Sequence, residues 1–193
     1  MGRRKTIDRQ ATMRAIETVV RERGFAALSI EAVARAAGIS KSSVLYDFGS
    51  KSALLEAYID TRLEEWQAGI AAKAAGHGAV PDAWLRGWID CLRDQPTADD
   101  LDVATIVASG TGDSKSCRAI IARAVAEDLN RIDTDSPDPR RAILAYLAIH
   151  GLQCLEYSGF HAFSSDKRQE IANDIMDLLT ASQDPNHPEH SAR

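Results

Sequence analysis

Leu28-Ser29-Ile30-Glu31-Ala32-Val33-Ala34-Arg35-Ala36-Ala37-Gly38-Ile39-Ser40-Lys41-Ser42-Ser43-Val44-Leu45-Tyr46-Asp47-Phe48-Gly49-Ser50-Lys51 contains two short helical patterns separated by a turn. Ile30, Val33, Ala34 and Ala37 follow the i, i+3, i+4, i+7 spacing of one apolar helix face, and Ser29 before them is a good N-cap. Gly38 ends that helix, Ser40 caps a second that runs to about Phe48, and Gly49 ends the second. Two short helices joined by a tight turn containing Gly make the helix-turn-helix pattern. The turn must be tight because the second helix has to cross the first and protrude. Gly38 is therefore expected at positive φ, where a side chain would obstruct the crossing. Small Ala34 permits close approach and Val44 packs back. Ser40, Lys41, Ser42, Ser43 and Tyr46 form the outward set, and short hydroxyls, a Lys and a Tyr suit phosphates and base edges.

Working outward, Met13, Ile16, Val19 and Val20 place an apolar stripe on a preceding helix of about 7–23, stopped by Gly24. On the other side Ser50 starts a long helix reaching about residue 75, with Leu54, Leu55, Tyr58, Ile59, Leu63 and Trp66 inward. Free backbone N–H groups at its start, together with Lys51, would suit one phosphate. The charge agrees. Residues 1–51 hold ten Lys/Arg against five Asp/Glu, net +5, and the remainder holds thirteen against twenty-three, net −10, which sums to the −5 of the whole chain. A basic first quarter on an acidic body suits a polyanion-binding head.

The rest of the chain also reads as helices, over about 82–94, 99–109, 114–131, 139–158 and 165–181. Gly110-Thr111-Gly112-Asp113-Ser114-Lys115-Ser116 superficially resembles a phosphate loop, but Ser114 stands where Gly is required before Lys, and no βαβ pattern surrounds it. We read it as a helix-to-helix connection capped by Asp113 or Ser114. The 139–158 helix is apolar on nearly every side, as expected of a helix covered by its own subunit and by a partner. The tail, 184–193, is expected to be disordered, and its His187 and His190 with it.

The run from Leu28 to Leu55 resembles the DNA-binding domain of the TetR family of transcriptional regulators, over residues 7 to about 57. The resemblance implies an all-α chain: an N-terminal three-helix helix-turn-helix domain (1–51, with a basic arm 1–6), and a C-terminal helical bundle (52–183) that binds an effector and dimerises. It implies that Ser29, Ser40, Lys41, Ser42, Ser43, Tyr46 and Lys51 face double-stranded DNA, with Arg3, Arg4 and Lys5 adding phosphate attraction. Two positions depart from the family pattern: Leu45, where an aromatic is common, and Asp47, where His is common. Asp47 either points away, bonds a donor or reads a cytosine amino group. The last two long helices would meet a second subunit, through Ile143, Leu147, Leu155, Ile171, Ile175, Leu178 and Leu179. The stretch 151–160, followed by 164–168, also resembles one subgroup's junction between these helices.

Trp66, Trp84, Trp88, Tyr146, His150, Gln153, Cys154 and Tyr157 are the candidate lining of an effector site, because apolar walls with a few polar handles suit small-molecule pockets. For any single one of them core or interface packing is the commoner role, and a histidine in an apolar run such as His150 is more often a satisfied buried histidine than a ligand. Cys91, Cys117 and Cys154 are widely spaced and odd in number, which argues for reduced thiols rather than a disulfide framework. No catalytic constellation, metal-ligand spacing or cofactor motif is present, and no apolar run is long enough to span a bilayer. The expectation is a cytoplasmic homodimeric repressor, released from a palindromic operator by a small-molecule effector. The alternatives are a regulator that takes no ligand or that activates, an interaction protein, and an enzyme.

Overall fold

A computed structural model describes residues 8–180. The described residues form helices and no strand: α1 (Arg9–Arg23), a 3-10 turn (Phe25–Ala27), α2 (Ile30–Ala36), α3 (Lys41–Phe48), α4 (Lys51–Ala75), α5 (Ala83–Cys91), α6 (Ala98–Asp113), α7 (Lys115–Asp135), α8 (Pro139–Tyr157) and α9 (Ser165–Thr180). The arm residues Arg3, Arg4 and Lys5 and the tail 184–193 lie outside the described residues. Packing divides the chain into two compact units.

The first unit runs through Trp66 and includes Pro96–Val125. The periodicity of α1 and α2 has its expected result: Met13, Ile16, Val33 and Val44 are at most 1% exposed, in one core with Leu54, Tyr58, Ile59, Ile106 and Cys117. Burying each large side chain of this kind contributes about 1.5–3 kcal/mol. The α2–α3 turn is a Schellman cap. Ile39 N–H donates to the Ala34 carbonyl at 3.0 Å and Gly38 N–H to that of Arg35 at 3.2 Å, with Gly38 at φ 66°. The expectation that a side chain at Gly38 would obstruct the crossing is corrected in one respect. A Cβ there meets nothing within 4 Å, so glycine is favoured by the left-handed backbone and not by a neighbouring helix.

The expected connection at 110–116 is also shorter in the structure. Helix α6 continues through Gly110 and Gly112 to Asp113, and the break falls at Ser114. Glycine in a helix costs about 1 kcal/mol relative to Ala. Here tertiary packing outweighs that cost, because Gly110 is buried beside Ile59. Arg21 on α1 forms ion pairs with both Asp99 and Asp102 on α6.

The second unit comprises Gln67–Gln95 and the chain from Ala126 onward. Helix α5 packs on α8 and α9, and α8 on α9. Gly87 lets α5 lie against α4 backbone to backbone: a Cβ on it would stand 2.6 Å from the Ala74 nitrogen and 2.7 Å from the Ile70 carbonyl oxygen. Arg168 on α9 is buried in an ion pair with Glu156 on α8, and it also donates to the carbonyls of Leu92 and Asp94. Asp138 caps α8 and Pro139 occupies its first turn, which makes the expected break before this helix.

Candidate functional site

In the first unit α2 and α3 are each held by an N-cap serine. The Ser29 hydroxyl accepts from Ala32 N–H and that of Ser40 from Ser43 N–H, each at 3.1 Å. Ser40 lies a further 2.9 Å from the Ser42 hydroxyl and 2.7 Å from that of Ser43. Residues expected to face DNA therefore also build the helix that presents them. Val44 anchors the inner side of α3. Ser29, Ser40, Lys41, Ser42 and Tyr46 are exposed and Ser43 is half-buried, with Tyr46 at 72%. Leu45 and Asp47 are exposed on the same helix, so the two departures from the family pattern both lie on α3 surface. Lys41 Nζ lies 3.7 Å from a Glu31 carboxylate oxygen. The Ser50 hydroxyl accepts from Ala53 N–H at the start of α4, and the Lys51 ammonium sits 5.1 Å from the Phe25 ring centroid.

The second unit gathers four of the candidate pocket residues. Trp88 stands edge-on to Trp84, Tyr146 and His150, with ring centroids 5.2–5.6 Å apart, and Tyr146 meets His150 at 4.4 Å. Against Tyr146 lies Asp128, a buried carboxylate that accepts from the Tyr146 hydroxyl at 3.4 Å. Burial raises the Asp128 carboxyl above its ordinary range, and burial together with Asp128 pushes the Tyr146 phenol up. Burial lowers the His150 imidazole, whose Nε2 finds no hydrogen-bond partner among the described residues. Gln153 and Tyr157 are half-buried and Cys154 is exposed on α8. Trp66, half-buried on α4, belongs to the first unit.

Beside this cluster a cavity of about 420 Å³ opens between the end of α4, the α4–α5 segment and the end of α7. Trp84 is the only candidate pocket residue in its wall. Ala71, Ala74, Val80, Pro81, Asp82, Ala83, Leu85, Arg131, Ile132 and Asp135 complete it. Sequence reasoning missed Asp82, Arg131 and Asp135, because charged residues beside breaks in a helical pattern read as solvated surface.

On α8, Leu144, Leu147 and Leu155 are 51%, 58% and 41% exposed. Ile143, Ile171 and Leu178 are half-buried. Ile175 and Leu179 are each 4% exposed within the single chain, because α9 turns them into its own unit, so they have little surface to give a partner. Among the described residues no group of three or more His, Cys, Asp or Glu side chains could hold a metal ion, and no helix is long and apolar enough to cross a membrane.

Comparison with known proteins accounts for this arrangement. Residues 12–58 match the model for bacterial regulatory proteins of the tetR family, and residues 82–180 match that for the tetracyclin repressor-like C-terminal domain. A search of the curated proteins gives no significant match. Among solved structures, a TetR transcription regulator from Haloarcula marismortui is similar at 19% identity and a TM-score of 0.69, over 90% of this chain and 96% of that one. The multidrug binding protein EbrR, complexed with malachite green, is similar at 19% identity and 0.68, over 90% and 99%. NalD, the secondary repressor of the MexAB-OprM multidrug efflux pump in Pseudomonas aeruginosa, is similar at 18% identity and 0.62, over 89% and 94%. With its helix-turn-helix matched at one end and more than half of its length matched by the C-terminal model, the chain belongs to the TetR family of DNA-binding transcriptional regulators.

Proposed function

We propose that this regulator is a homodimeric repressor that binds a two-fold-symmetric operator and is released by a small-molecule effector. The observation that carries the reading is the exposed polar face of α3, on which Lys41, Ser42 and Tyr46 stand clear of the core that Val44 anchors. Two such helices, one per subunit, would enter successive major grooves. The exposed Leu144, Leu147 and Leu155 on α8 supply an apolar face for the second subunit, since three large aliphatic side chains along one helix are costly to leave in water. The aromatic cluster and the cavity beside it supply the effector site. An effector acts by favouring whichever state binds it better, and operator affinity falls when that state spaces the recognition helices wrongly. Two proteins of the same fold, one a repressor and one holding a dye, accord with this reading.

Repeated selection of random duplexes by the purified protein, with sequencing of the bound pool and sizing of the complex, tests it. A two-fold-symmetric motif bound by two chains is expected. An asymmetric motif bound by one chain would overturn the dimer reading. A pool without enrichment would overturn the operator reading itself.

A further inference from the structure

The cavity at the end of α4 holds an arginine of the protein itself against a tryptophan in its wall. The Arg131 guanidinium lies 5.1 Å from the Trp84 ring centroid, the geometry of a cation–π contact. Asp82 and Asp135 line the same cavity, so with Arg131 the charged wall sums to −1. Burial raises the Asp82 carboxyl above its ordinary range, against the attraction of Arg86. Asp82 is also the one non-glycine among the described residues with positive φ, at 56°. Val80 and Pro81 add apolar surface, and the volume of about 420 Å³ lies in the range of small-molecule sites.

We propose that this cavity binds a planar aromatic monocation, whose charge takes the place of Arg131 over Trp84 and is balanced by Asp82 and Asp135. The inference rests on the effector reading for its biological meaning, but binding itself does not depend on that reading. An aromatic ring matches Trp84 in shape, and once Arg131 is displaced the ligand's positive charge faces the two carboxylates that the guanidinium faced before. A neutral ring of the same size would have to displace Arg131 without replacing its charge. An anion would face two carboxylates.

The site also bears on α4. The Trp84 indole N–H donates to Gln67 Oε1 on that helix at 3.3 Å, and Gln67 in turn favours the ionised form of the buried Asp128. A ligand that moves Trp84 therefore disturbs a polar chain running from the cavity wall through α4 to Tyr146. Helix α4 is the element that continues from the helix-turn-helix into this unit.

Calorimetric titration of the full chain with 10-methylacridinium, and with acridine at pH 8 as its uncharged counterpart of similar size, tests the proposal without DNA. The cation is expected to bind at least about tenfold more tightly than acridine, and Asp82→Asn and Asp135→Asn should each remove much of that preference. Asparagine tolerates the left-handed backbone at position 82, so that variant keeps the local fold. Arg131→Ala gives the decisive sign: it should tighten the cation, because the internal competitor is gone, whereas a merely structural arginine would weaken it. Equal binding of acridine, no binding of the cation, or weaker cation binding by Arg131→Ala would each overturn the proposal. Operator release is measured separately. A cation that binds with this signature but leaves operator affinity unchanged would retain the site and overturn the effector reading.

Discussion

The Tyr58 hydroxyl donates a 2.9 Å hydrogen bond to Glu17, 41 residues earlier in the chain. Tyr58 is fully buried on α4 and Glu17 lies on α1, and Arg62, one turn further along α4, pairs with the same carboxylate at 2.6 Å. The first helix of the helix-turn-helix is thus fastened to α4 by one carboxylate with two donors. Burial, with Glu17 beside it, pushes the Tyr58 phenol well above its ordinary value. Tyr58→Phe removes one donor and should cost about 1–2 kcal/mol in urea unfolding. Glu17→Ala strands the hydroxyl and leaves Arg62 with Glu65 alone, and should cost about 2–3 kcal/mol. Equal losses would mean that the carboxylate does not serve both donors.

A different kind of contact joins α4 to α5. Gly87→Ala would place a methyl group within 3 Å of three backbone atoms of Ile70 and Ala74, and backbone of a packed helix cannot give way locally. The expected loss is about 2–3 kcal/mol by thermal or urea unfolding, despite the helix propensity that alanine adds. Gly110→Ala is the control. Its new methyl meets only the end of the Ile59 side chain, at 3.5 Å, so that variant should be neutral or slightly stabilising.

The buried pair of Arg168 and Glu156 follows another rule. Both side chains are 4% exposed, and neither charge has water to fall back on. Arg168→Met leaves Glu156 uncompensated and two carbonyls short of a donor, and should cost about 3–5 kcal/mol. Adding Glu156→Leu should restore part of that stability, because the orphaned charge is removed along with its partner. A double variant less stable than Arg168→Met would contradict this account.

These contacts show where the sequence could be read and where it could not. Local signals were legible. Ser29, Gly38, Ser40 and Gly49 marked the ends of α2 and α3 because caps are chosen by the backbone of one turn. The core faces of α1 and α2 were legible from spacing alone. The packing of α6 and the start of α7 with the N-terminal helices was not, because Arg21 meets Asp99 and Asp102 across about 80 residues and nothing in either segment names the other. The run Gly110–Ser116 was legible in its Ser114 cap, whose hydroxyl accepts from Cys117 N–H, and not in the length of α6: two glycines weaken a helix locally, while burial against Ile59 is a tertiary effect. Trp84 with Trp88, and Tyr146 with His150, each stand one turn apart on one helix, which spacing makes legible, but that the two pairs meet across helices is a tertiary fact. The charged wall of the cavity was not legible either, since Asp82, Arg131 and Asp135 resemble surface until the chain brings them around one volume.

His150 gives the unit a pH dependence of definite sign. Burial lowers its folded-state pKa, while the unfolded chain titrates near an ordinary value of about 6.5. Below about pH 6.5 the unfolded chain therefore binds more protons than the folded one, and stability falls as pH drops until the folded imidazole also titrates. Asp82 and Asp128, whose carboxyls are raised by burial, act with the opposite sign and in a more acidic window. His150→Phe keeps a ring against Trp88 and Tyr146 but removes the titration. It should flatten the stability profile between about pH 7 and 5, and an unchanged profile would assign the slope to other groups.

On the recognition helix Lys41 has a rival partner. Its ammonium lies 3.7 Å from Glu31, and both side chains are more than half exposed. In water such a pair is worth little, so it does not hold α3 in place. It matters when a phosphate approaches, because Glu31 then competes for Lys41 and repels the backbone. Lys41→Ala should weaken operator binding and reduce the slope of log affinity against log salt by about one. Glu31→Gln should act in the opposite direction, tightening binding a few-fold at low salt with little change in folding stability. In the Lys41→Ala background the same Glu31→Gln change should gain less, since only the repulsion remains to be relieved. Titrations of the four proteins against one operator duplex at several salt concentrations measure both effects. Strict additivity would show that Glu31 acts on the DNA directly and not through Lys41.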